Sequence, residues 1–163
     1  MEKLIEIKNV TAIYDIKTVL NSVSLDVWEN DFLGIIGPNG GGKTTLLKII
    51  LGLMKPTSGD VLFFRDGKNV PKLKIGYLPQ INPIDKRFPI SVFEVILSGL
   101  AGEKLLFENF TVQQKERVKE LIIKIGLEEF SKRAIGELSG GQLQRTLLAR
   151  AIVSRPQIGR AHV

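Results

Sequence analysis

The chain contains no cysteine, one histidine, one tryptophan and two tyrosines. Without cysteine there are no disulfides and no thiolate metal ligands, which fits a reducing compartment. Three Trp and Tyr side chains in 163 residues leave little with which to stack on bases. The 23 lysines and arginines outnumber the 17 acids, yet they are spread from Lys3 to Arg160 and form no dense block. A nucleic-acid surface calls for a clustered basic footprint, so no nucleic-acid partner is expected. No apolar run approaches the ~20 residues of a membrane-spanning helix, and no basic-then-apolar leader opens the sequence. The expectation is a soluble chain that can still dock on a membrane partner. Acidic residues also run out: none follows Glu137. What remains is 44% hydrophobic and 25% charged, as in an ordinary globular domain with no sign of disorder.

Against that plain background, Gly37-Pro38-Asn39-Gly40-Gly41-Gly42-Lys43-Thr44 stands out as G-x-x-x-x-G-K-[ST], a phosphate-cradling loop. Before it, the unbroken apolar run Phe32-Leu33-Gly34-Ile35-Ile36 predicts a strand buried on both faces. After it, Thr45 to Leu51 predicts a mostly buried helix stopped by Gly52. Glycines let successive backbone N–H groups turn into one concavity, and the helix start adds unpaired donors and the positive end of its dipole. A di- or triphosphate suits that arrangement, with Lys43 on the terminal phosphates and the Thr44 hydroxyl on Mg²⁺. The plainer alternative is a glycine-rich turn that merely caps a helix.

The rest of the chain reads as alternating short strands and capped helices. Leu4 to Lys8 alternates with Ile5 and Ile7 on one side, and Ser22 to Val27 with Val23, Leu25 and Val27. Lys55 to Gly59 predicts a turn, and Asp60 to Phe64 a strand. Asp66-Gly67 carries a hairpin signal, and Lys74 to Leu78 predicts a further strand ending at Pro79-Gln80. Ile81 to Pro89 reads as loop. Three capping boxes follow. Ser91 to Glu94 opens one helix. Thr111 to Gln114 opens a second, with Val118, Leu121, Ile122 and Ile125 as its stripe and Gly126 as its stop. Ser139 to Gln142 opens a third, with Leu143, Leu147, Ala151 and Ile152 along one face.

Leu138-Ser139-Gly140-Gly141-Gln142 places adjacent glycines at the start of a long helix, where each lowers stability by about 1 kcal/mol relative to alanine. One explanation is a flexible capping box; another is a second anion site, where bare amides must approach a phosphate closely. With the glycine loop upstream, this sequence resembles the ATP-binding cassette (ABC) ATPases, and the resemblance covers residues 1 to 158. It implies an α/β fold: a P-loop core, an antiparallel β layer and an α-helical insert. The implied partition is residues 1–82 for layer and core, 83–137 for the insert, 138–158 for the signature helix and the return to the core, and 159–163 for an atypical tail.

The resemblance also implies roles. Gly37, Pro38, Asn39, Gly40, Gly41, Gly42, Lys43, Thr44 and Thr45 would hold the phosphates of ATP, and Thr44 and Gln80 the Mg²⁺. Tyr14 would stack on the adenine, as an aromatic face binds a base without reading it; by its residues alone it is equally an ordinary half-buried tyrosine. Ser139, Gly140, Gly141 and Gln142 would contact the nucleotide of a second subunit in a head-to-tail pair. A transmembrane permease subunit and a substrate-binding protein are the further implied partners, on the cytoplasmic face of a membrane. Within the family, Asn82 to Val92 and Gly37 to Thr45 resemble importers of zinc, manganese or related metals. Other ABC ATPases, of DNA repair or translation, and a nucleotide-binding module that does not hydrolyse are the competing readings.

One departure from the family is plain. An aliphatic strand ending in Asp-Glu is expected after Arg155-Pro156-Gln157-Ile158, and Gly159 to Val163 stands there instead. Those carboxylates would hold Mg²⁺ and polarise the attacking water. Truncation or a frameshift is the expectation, with two consequences: weak or absent hydrolysis, and unpaired edges beside the loop's strand that invite association. His162 reads as a tail residue.

Overall fold

The computed structural model describes residues 1–78, 89–103, 108–156 and 158–160. It divides into two units, Met1–Leu73 and Lys74–Val163.

The first unit is built on a long hairpin, β1 (Lys3–Tyr14) and β2 (Lys17–Trp28), turned by Asp15 and Ile16. Strands β3 (Ser58–Arg65) and β4 (Lys68–Val70) extend it to an antiparallel sheet of order β2-β1-β3-β4. The alternation in sequence decides the faces: Ile5 and Ile7 are buried while Lys8 is exposed. Val10, Ala12 and Leu20 continue that core. Where the β1–β2 register slips, side chains replace ladder bonds. Ser24 Oγ accepts from Asn9 N at 2.9 Å, and Thr11 Oγ1 accepts from Ser22 N at 3.1 Å. Asp66 and Gly67 turn β3 into β4 with φ of 52° and 69°, the doubly left-handed geometry that the Asp-Gly pair predicts. The predicted turn before β3 is shorter than expected, since the strand already begins at Ser58.

Helix α1 (Lys43–Ile50) buries Leu46, Ile49 and Ile50. It closes as expected at Gly52, φ 69°, with Gly52 N donating to Ile49 O at 3.0 Å and Leu53 N to Lys48 O at 2.8 Å.

The strand predicted at Phe32–Ile36 is not formed. Residues 31–38 hold no regular structure, and Phe32 and Ile36 are 102% and 96% exposed. A two-faced buried strand borrows its burial from neighbours on both edges and both faces. Among the described residues of this unit nothing pairs with the run, so its apolar composition alone does not make it a strand.

The second unit pairs β5 (Ile75–Tyr77) in parallel with β6 (Ile158–Arg160), Ile75 opposite Ile158. Three helices follow the predicted boxes: α2 (Val92–Ser98), α3 (Val112–Lys124) and α4 (Gly140–Ile152). Helix α2 packs on both others, and their joint core holds Val92, Ile96, Leu100, Val118, Ile122, Ala149 and Val153. The expected α3 stripe is borne out, with Leu121 and Ile125 packed against that core and Gly126 at φ 65° ending the helix. On α4 the expected face needs correction. Leu147 and Ala151 are buried, but Ile152 is 38% exposed beside Leu148, four residues earlier on the same side, while Thr146 and Ala149 are buried instead. Burial pushes the Glu103 carboxyl up, but ion pairs to Lys74 at 3.2 Å and Arg117 at 3.1 Å outweigh it and hold it below its usual range.

Candidate functional site

Helix α1 begins without a cap. Its N-cap residue is Gly42, at φ 81°, with no side chain to accept a bond and no acid in the first turn. The first helical bond is Leu46 N to Gly42 O at 2.9 Å, so the amides before it have no helical acceptor. Gly42 is buried against β2: a Cβ there would lie 2.6 Å from Val19 O and 2.7 Å from Leu20 Cδ2. The loop is thereby pinned to the sheet at its last residue. Upstream, Gly41 N donates to Pro38 O at 3.1 Å and curls the chain. A Cβ on Gly37 or Gly40 would meet nothing within 4 Å, so that side is open.

Lys43 folds back over this curl. Its Nζ donates to Gly37 O at 2.8 Å and Pro38 O at 2.7 Å, which draws an ammonium across the loop. Thr44 is exposed, whereas the Thr45 side chain is buried in helix packing and offers the site only its backbone. Uncapped amides, an ammonium and an exposed hydroxyl thus converge on an open concavity. An anion entering it exchanges the two bonds from the ammonium to neutral carbonyls for bonds in which both partners are charged. These donors fit the phosphates of a nucleotide, and the Thr44 hydroxyl fits a hard, oxygen-seeking cation.

Tyr14 ends β1 on the same sheet. It faces Lys17 in the ladder, while Ala12 faces Leu20, whose side chain abuts Gly42. That places Tyr14 about two rungs, ~7 Å along the strands, from the loop's anchor. Tyr14 is 45% exposed, and its hydroxyl donates to Met54 Sδ at 3.1 Å. Thr57, in the same connection after α1, accepts from Ile13 N through Oγ1 at 3.1 Å and donates N to Thr11 O at 2.8 Å. Sequence reasoning missed the parts played by Val19, Leu20, Met54 and Thr57. Only Thr57, inside the predicted turn from Lys55 to Gly59, lay in a stretch that carried any signal.

The glycines of Ser139–Gln142 lie in the second unit, at the start of α4. Here the capping box is complete: Ser139 N donates to Gln142 Oε1 at 2.9 Å and Gln142 N to Ser139 Oγ at 3.4 Å. The Gln142 side chain is therefore engaged in its own helix. A Cβ on Gly140 or Gly141 would meet nothing within 4 Å. Gln80 and His162, and the segment from Asn82 to Phe88, lie outside the described residues. Among the described residues no three His, Cys, Asp or Glu side chains gather as a metal site, and no helix is long and apolar enough to cross a membrane.

The sequence profile of the ABC transporter family matches residues 20–159. The chain belongs to that family. It is 41% identical over 161 residues to the zinc uptake system ATP-binding protein ZurA of Listeria innocua, covering 97% of this chain and 63% of ZurA. It is 42% identical over 154 residues to the manganese transport system ATP-binding protein MntB of Bacillus subtilis, covering 94% of this chain and 62% of MntB. The chain thus spans less than two-thirds of the length of these relatives. Its fold is similar to the ADP conformation of MJ1267, an ATP-binding cassette of an ABC transporter, with a TM-score of 0.77 at 25% identity, over 96% of this chain and 66% of that one. The α/β ABC ATPase fold expected from the motifs is borne out.

Proposed function

We propose that this chain is the nucleotide-binding part of an ATP-driven metal-ion importer. The observation that carries the reading is the bare start of α1, where Lys43 bridges the carbonyls of Gly37 and Pro38 across an open glycine curl. Residues Gly37–Thr45 take the phosphates of ATP through backbone amides and the Lys43 ammonium. The Thr44 hydroxyl and Gln80 serve Mg²⁺, and Tyr14 stacks on the adenine. Bound Mg²⁺ would supply charge neutralisation between the terminal phosphates.

A second copy placed head to tail brings Ser139, Gly140, Gly141 and Gln142 to the first copy's nucleotide. The open space around both glycines supports this, because no packing among the described residues requires them to be glycine. A permease subunit and a substrate-binding protein complete the assembly on the cytoplasmic face of the membrane. Zinc or manganese is the proposed cargo, by analogy with ZurA and MntB. A polypeptide limited to these 163 residues hydrolyses ATP slowly, because it carries no acidic residue beyond Glu137 to hold Mg²⁺ and polarise water.

Isothermal titration with Mg-ATP tests the reading. Lys43→Ala should weaken binding by about 10- to 100-fold, the share of one charge-assisted bond. Equal affinities of parent and variant would overturn it. A turnover assay on the same samples separates binding from hydrolysis.

A further inference from the structure

The connection that leaves α1 returns to the strand that carries Tyr14, and it does so by three bonds. Thr57 N donates to Thr11 O at 2.8 Å, Ile13 N to Thr57 Oγ1 at 3.1 Å and Tyr14 Oη to Met54 Sδ at 3.1 Å. The first two fix the backbone on either side of Ala12. The third reaches the far end of the aromatic ring. Met54 is itself half-buried, and it follows directly on the closure of α1 at Gly52 and Leu53, so its position is set by the helix that starts at the phosphate loop.

A tyrosine at the end of a hairpin keeps rotamer freedom unless something holds it. Its neighbour Ile16, at the hairpin tip, is 99% exposed and offers no packing. A thioether is a weak acceptor but a polarizable one that also favours contact with an aromatic ring. We infer that Met54 is a positioning residue for nucleotide binding: it holds the Tyr14 ring at a fixed place relative to the phosphate loop, so that helix α1 organises the base end of the site as well as the phosphate end. This rests on the reading of Tyr14 as the adenine-stacking residue. Met54 itself need touch no part of the nucleotide.

The test uses the full chain and two probes, Mg-ATP and Mg-tripolyphosphate, which has the charges but no base. Tyr14→Ala should weaken ATP binding by roughly 5- to 100-fold, the range of one stacked base, and leave tripolyphosphate unchanged. Met54→Ala should weaken ATP several-fold, leave tripolyphosphate unchanged, and add nothing in a Tyr14→Ala background. Met54→Leu and Tyr14→Phe keep the packing while removing the acceptor or the donor; each should show a smaller loss than the alanine variant, and the two losses should not add. If Tyr14→Ala leaves ATP affinity intact, the stacking reading itself fails and the inference falls with it. If Tyr14→Ala weakens ATP but Met54→Ala does not, stacking stands and the positioning role of Met54 is refuted. Equal losses for both probes on Met54→Ala would make it a support of α1 alone and would likewise refute the proposal.

Discussion

Two helices of this chain begin beside adjacent glycines, and the chain treats the two starts in opposite ways. At α1 the glycine is demanded from within: Gly42 is left-handed at φ 81°, and the Val19 carbonyl occupies the place of any Cβ. Yet the helix it opens has no cap, and the nearest cation, Lys43, is bonded back onto the loop. At α4 nothing among the described residues crowds Gly140 or Gly141, yet the helix is fully capped by Ser139 and Gln142. The first start keeps its donors for a ligand held by the chain itself. The second is capped by its own side chains, and its bare glycines are the ones that the proposed head-to-tail pairing would use.

The same substitution should therefore have opposite signs at the two places. Gly42→Ala combines a left-handed backbone with a contact against a carbonyl oxygen that cannot move without moving β2. A loss of about 2–4 kcal/mol is expected, seen as a lower denaturation midpoint, together with loss of Mg-ATP binding. Gly141→Ala meets open space inside a helix, and should raise stability by up to about 1 kcal/mol while leaving ATP affinity of the single chain unchanged. If Gly141→Ala destabilises the chain in chemical denaturation, the contrast between the two starts is broken. If it stabilises the chain but prevents ATP-dependent pairing with a full-length second copy, the contrast is sharpened.

Much of this was legible in the residues, for physical reasons that also mark where legibility ended. The three capping boxes form at the predicted residues, because a Ser or Thr with Glu or Gln three places on satisfies amides locally and needs no distant partner. The Asp66-Gly67 turn and the alternation of Ile5 and Ile7 are local in the same sense. The run Phe32–Ile36 was misread because burial on two faces is a property of neighbours, and its composition cannot supply them. Ile152 was misplaced for a related reason: the face α4 buries is set by α2 and by Ala149 and Thr146. The glycine loop was legible as a motif, but not its seat on Val19 and Leu20. Nor was the Met54–Tyr14 bond, which joins positions forty residues apart.

The three capped starts are themselves unequal, and acid should separate them. In α2 the box partner is Glu94, whose Oε2 accepts from Ser91 Oγ at 2.6 Å and Ser91 N at 2.8 Å; these donors hold its carboxyl below the usual 4.5. In α4 the partner is Gln142, which does not titrate. A carboxylate whose folded pKa is depressed contributes stability above its unfolded value and loses it as the pH falls through the folded one. The start of α2 should therefore loosen below about pH 4.5, while the box of α4 persists. The Ser91 amide resonance should move with acid in NMR titration and that of Ser139 should not. Glu94→Gln should keep the α2 box and abolish its acid response. The effect is small, because this carboxyl stays in reach of water. An equal acid shift at Ser139 would mean that the α4 cap depends on a charge elsewhere in its unit, and its self-sufficiency, on which the contrast with α1 rests, would be lost.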